Sequence, residues 1–186
     1  MTETPGKLTE AEAREALKLA RRSLEHHVRT GGTLRPDVEF SEGFMQPCGA
    51  FVTLHTKAGA LRGCIGHMIG DGPLWELIIE LGVAAGTKDP RFPPVTEAEL
   101  DQIVYEISVL SPMRPIKPDD VTPGVHGLYV RRGSHSGVLL PQVAVEWEWD
   151  RETFLEQTCR KAGLPEDAWR DPATQIMGFT AQVFHE

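Results

Sequence analysis

The sequence predicts a mixed helix and sheet class with hairpin strands, on three observations. Phe51-Val52-Thr53-Leu54-His55-Thr56 is β-branched and aromatic, Lys57-Ala58-Gly59-Ala60 supplies a turn, and Leu61 to His67 returns. A second pair of strands, 126–131 and 137–140, flanks Arg132-Gly133-Ser134-His135-Ser136. Apolar residues at helical spacing fill separate segments between and around these hairpins.

Taken in order, Thr9 and Glu12 make a capping box ahead of Ala13, Leu17, Ala20, Leu24 and Val28. This predicts a helix over 9–30, ended by Gly31-Gly32, with His26 and His27 beside its C-terminal dipole. Residues 33–49 read as loop. In the first hairpin, a two-residue turn at Ala58-Gly59 sets Thr53 opposite Cys64 and His55 opposite Arg62. Val52, Leu54, Leu61 and Ile65 then share the core face, leaving Cys64, Arg62 and His55 on the other. Pro73 suits the first turn of a helix reaching about Ala85, apolar almost all round and therefore deeply packed. Residues 86–94, with three prolines, form a stiff loop. A helical turn follows over 96–100. Ile103 to Leu110 is a strand with Tyr105, Ile107 and Val109 on one face and Glu106 on the other, and Ser111 to Pro123 is an extended connection between two possible lobes. Asp150 caps the next helix, Trp149 and Phe154 staple it, and Gly163 stops it. Cys159 inside that helix reads as a small core residue. Ile176 to Phe184 is one closing strand.

The 186 residues are 40% hydrophobic and 25% charged, ordinary for one domain or two small lobes. A formal charge of -8 argues against binding nucleic acid or an anionic membrane. Neither a membrane span nor a signal peptide is visible, so the expected location is cytoplasmic. Three cysteines without CxxC spacing support neither a disulfide framework nor a structural zinc site. Carboxylates and histidines lack ligand spacing, so no metal is expected, and no cofactor is indicated.

The chemistry centres on Leu61-Arg62-Gly63-Cys64-Ile65-Gly66. Glycines inside a strand mark a bulge or a close approach, so something is expected to come near Cys64 at Gly63 and Gly66. One reading is catalytic: Cys64 forms a covalent adduct as nucleophile or acyl or alkyl carrier, with His126 or Glu106, if folded close, as base. Arg62 would activate the thiol or hold an anionic ligand, and Arg91 on the stiff loop would be a second anion contact. Glu106 among apolar neighbours is read either as a site carboxylate with a raised pKa or as an ordinary ion-pair partner. The other reading is a binding module in which Arg62 anchors a small anionic ligand and Cys64 merely fits. A third makes the glycines packing devices and the thiol core.

Six collinear blocks carry a resemblance: LRGCIG at 61–66, DPRFPP at 89–94, EISVLSP at 106–112, HGLYVR at 126–131, SGVLLPQVA at 136–144 and FLEQTCRKAGLP at 154–165. Together they resemble the AMMECR-one domain family, whose microbial members are called AmmeMemoRadiSam system protein A. His67 and Cys48 depart from its usual pattern. The resemblance implies a single domain over 8–186 with an α+β, two-lobed AMMECR-type fold, mainly antiparallel sheet with flanking helices, and the LRGCIG motif near a cleft. It also implies an accessory or substrate-binding role beside two partners, a MEMO-type protein resembling extradiol dioxygenases and a radical-SAM protein.

Overall fold

The computed structural model describes residues 7–186. Helix α1, Glu10–Thr30, opens with the Thr9–Glu12 capping box and closes on Gly31 in the left-handed conformation at φ 73°. A single turn, α2 (Glu42–Met45), interrupts the loop expected over 33–49. Strands β1 (Ala50–Thr56) and β2 (Leu61–His67) form the first hairpin, followed by α3 (Leu74–Thr87), a 3-10 turn at Glu97–Gln102 and β3 (Ile103–Leu110). Strand β4 (Arg114–Pro115) lies in the extended connection, and β5 (Gly127–Arg132) with β6 (His135–Leu139) makes the second hairpin. Helices α4 (Pro141–Glu146) and α5 (Arg151–Lys161) precede β7 (Gln175–Phe179) and β8 (Ala181–His185).

The chain divides into two compact units. The first runs to Ser111 and regains Gln182–Glu186, and its sheet has the order β2-β1-β3-β8. Val52, Leu54, Tyr105, Ile107 and Val109 are buried together with Ala16, Leu19, Ala20 and Leu24 of α1 and Ile78, Leu81 and Ala85 of α3. The alternation of β3 therefore turns Val104 and Glu106 away from this core. The second unit, Pro112–Ala181, has a sheet of order β4-β7-β5-β6. Its core joins Leu128, Val130 and Ile176 to Phe154, Leu155 and Cys159. The pairs β1–β2, β1–β3, β4–β7, β5–β6 and β5–β7 are antiparallel, and the class is α+β.

Three expectations are corrected. The closing segment is two strands: Gln175–Phe179 joins the second sheet and Ala181–His185 the first, so one stretch of β-favouring sequence serves both units. Helix α4 adds an element that the sequence pattern does not announce, because its six residues are too few to display a helical period. The third concerns the first hairpin. Thr53 does face Cys64, but the register shifts between Leu54 and His55, so His55 faces Leu61 and not Arg62. The extra residue removes Leu61 from the core face, leaving it 37% exposed, and takes Arg62 out of the alternation. Among the described residues, no helix is long and apolar enough to cross a membrane.

Candidate functional site

The sheet of the first unit carries a row of polar side chains on the face opposite its core. Thr53 lies in mid-sheet, paired to Cys64 on β2 and to Glu106 on β3. Its hydroxyl donates to Cys64 Sγ at 3.2 Å, and the thiol is half-buried. One Glu106 oxygen, Oε2, lies 3.6 Å from His55 Nε2 and 3.3 Å from His185 Nδ1. Glu106 is thus enclosed by two histidines, its side chain 21% exposed. Neither histidine is hydrogen-bonded to Cys64 among the described residues.

The outer edge of β2 is closed by the proline-stiffened loop after α3. Asp89, buried, accepts the Cys64 backbone N–H at 2.9 Å, so the unpaired edge of the strand is capped by a carboxylate. The other Asp89 oxygen accepts the Arg91 backbone N–H at 3.1 Å, an Asx-type turn, and both oxygens receive the Arg91 guanidinium, at 2.9 and 2.7 Å. These bonds from Arg91, joined by the Cys64 N–H, hold the Asp89 carboxyl well below the usual range against the opposing effect of burial. Arg91 in turn is raised, first by its bond to Asp89, the same carboxylate that accepts the Cys64 backbone N–H.

Arg62 has a different role from the one its sequence position suggests. It is 9% exposed, and its Nε donates to Glu99 Oε1 at 2.9 Å. Glu99 is thereby pulled down to about 2, chiefly by Arg62 and then by the Thr96 N–H of its capping box. Arg62 Nη1 is buried without a partner among the described residues. The glycines have packing reasons. A Cβ on Gly63 would stand 2.1 Å from the Ala85 carbonyl oxygen, and one on Gly66 2.1 Å from the Phe51 ring. What comes close at Gly63 and Gly66 is therefore helix backbone and an aromatic ring.

His126 belongs to the second unit, where its Nδ1 accepts the Thr122 backbone N–H at 3.0 Å. That bond occupies the Nδ1 lone pair, which leaves Nε2 as the ring nitrogen open to a further partner. The structure thus groups Cys64, Thr53 and Glu106 on one face, sets Arg91 beside Cys64, and turns Arg62 to Glu99. Thr53, Asp89, Glu99 and His185 went unassigned in the sequence. Asp89 had a signal, an Asp two residues before an arginine in a turn-rich loop, whereas His185 needed the placement of β8. No group of three or more His, Cys, Asp or Glu suited to a metal occurs among the described residues.

Comparison with known proteins gives the relatives of this arrangement. A protein of Methanothermobacter thermautotrophicus is 47% identical, with 96% of each chain covered. Protein PF1979 of Pyrococcus furiosus is 43% identical over 91% of this chain and 86% of its own. The crystal structure of the uncharacterized protein PH0010 from Pyrococcus horikoshii superposes with a TM-score of 0.84 at 40% identity, covering 96% of this chain and 93% of that one. The family model AMMECR1 matches residues 17–184, and the chain belongs to the AMMECR1 family.

Proposed function

We propose that the protein is an accessory, substrate-binding component that works with a MEMO-type protein and a radical-SAM protein, with its site built around Cys64 on the LRGCIG strand. The observation that carries this reading is the surrounding of the thiol. Cys64 Sγ is bonded to a hydroxyl donor, its backbone N–H to a carboxylate, and among the described residues no hydrogen bond joins the thiol to a histidine or a carboxylate. An exposed guanidinium at Arg91 beside a half-buried polar row supports recognition of a small anionic group. In the test, the purified protein is mixed with MEMO-type and radical-SAM proteins from the same source. Co-elution, with turnover appearing only in the mixture and weakened by Arg91→Gln, is the expected result; turnover by this chain alone would overturn the reading.

The Thr53 bond to Sγ favours one second reading, a covalent carrier. Cys64 would take an acyl group from a thioester donor, the donor thiol leaving with the Cys64 proton. Intact mass after incubation with an acyl thioester tests this. A stable acyl adduct on the wild type that is missing in Cys64→Ser would favour the carrier.

A further inference from the structure

Away from the Cys64 face, a groove of about 480 Å3 runs along α3, between the helix and residues 33–36. That volume lies within the ~300–1,000 Å3 of small-molecule sites. Trp75, Ile79 and Val83 follow one another at helical spacing along one wall, with Leu34 and Pro36 also lining the groove. Trp75 is already held in place, stacked on Phe40 with 5.0 Å between ring centroids.

The rim is charged, and its charges are separated. Glu76 and Glu80 stand on the first half of α3, while Lys88 caps its C-terminal end. Leu24 of α1 lies against Gly86, and His27, almost one turn further on, lines the groove near that same end. Arg35, on the segment across the groove from α3, also lines it. Arg35, Glu76, Glu80 and Lys88 enter no ion pair among the described residues. The groove is thus an apolar trough with an acidic pole and a basic one, both unpaired.

We propose that this groove binds a short extended peptide of about five residues with apolar side chains. Its ammonium end lies at Glu76 and Glu80, and its carboxylate end at Lys88. The length follows from α3, where Glu76 and Lys88 are separated by about 18 Å at 1.5 Å per residue. An extended chain covers that in about five residues at ~3.3 Å each. A fatty acid would fill the trough but leave the acidic pole unmatched, and an alkylamine would leave the basic one unmatched. This site is independent of the Cys64 reading.

Calorimetric titration of the full chain with the pentapeptide Ala-Val-Ala-Val-Ala tests the proposal, beside its N-acetylated and C-amidated forms and octanoate. Binding of the free peptide, weakened about tenfold by blocking either end, is expected. Because end-blocking is read on the wild-type protein, it does not depend on any variant folding. Lys88→Glu is expected to weaken the free peptide and spare the amidated one, and Val83→Trp, which fills the trough, to abolish both. No binding of the free peptide at millimolar concentration, insensitivity to end-blocking, or tighter binding of octanoate would overturn the proposal.

Discussion

The two hairpins of this molecule are built on one device and differ in what they do with it. In each, the edge strand carries a glycine opposite a fully buried core residue: Gly63 faces Leu54, and Gly137 faces Val130. In each, helix backbone lies over that glycine. A Cβ on Gly63 would meet the Ala85 carbonyl oxygen near the end of α3 at 2.1 Å, and one on Gly137 the Ala162 nitrogen at the end of α5 at 2.4 Å. The next position separates them, since Cys64 pairs with Thr53 whereas Val138 pairs with Tyr129. The second hairpin also keeps its register throughout, while the first shifts at Leu54/His55. The glycines, then, report how a helix end packs on a sheet edge. The polar pair and the irregularity belong to the first hairpin alone, and it is there that the proposed site lies.

The largest expected effect tests the shared device. Gly63→Ala and Gly137→Ala each press a methyl group into backbone that cannot rotate away, so each should cost about 2–3 kcal/mol. Thermal unfolding would record a fall of roughly 5–10 °C for either. A tolerated Gly63→Ala beside a damaging Gly137→Ala would break the equivalence and return Gly63 to a functional role. Gly66→Ala should cost less, about 1 kcal/mol, because the Phe51 ring it meets can turn.

The next effect belongs to the first hairpin alone. Asp89→Asn weakens a buried set of charge-assisted bonds to the Cys64 N–H and to Arg91, and should destabilise by about 2 kcal/mol in denaturant unfolding. Acid should act in the same direction. Asp89 and Glu99 are both lower in the folded chain than their unfolded values of about 4. Their contribution to stability is therefore complete above about pH 4–5 and is lost as the pH falls, through about 2 for Glu99 and further down for Asp89. Asp89→Asn should flatten the acid limb of the stability profile, and an unchanged limb would remove Asp89 from this role.

Much of this comparison was legible in the residues, and the part that was not has a physical cause. Strand β3, helix α1 with its capping box, and the Thr53–Cys64 pairing follow from alternation, helical period and turn length, all of which are local. The fate of Arg62 is not local. A one-residue bulge moves it from beside His55 to a pairing with Glu99, thirty-seven positions away, and no turn rule forecasts that. The Glu106 histidines are split in the same way: His55 lies on the neighbouring strand, but His185 arrives only because the closing segment breaks into two strands that serve different sheets. Asp89 was within reach, since its Asx turn is encoded in three consecutive residues.

The smallest energetic effect tests the polar pair itself. Cys64→Val gives the first hairpin an apolar residue where the second has Val138, removing one hydrogen bond from a half-buried position, and should change stability by less than about 1 kcal/mol. Its consequence for reactivity should be much larger. Cys48 and Cys159 are buried and burial pushes both thiols up, so neither should react with iodoacetamide until the chain unfolds. Cys64 is the one thiol of the three that is only half-buried, and peptide mass spectrometry of native protein should find it alkylated at least about tenfold faster. Native labelling should then vanish in Cys64→Val with the fold intact. If Cys48 or Cys159 is labelled first instead, the open face is not where Thr53 and Cys64 lie, and the contrast between the hairpins loses its chemical meaning.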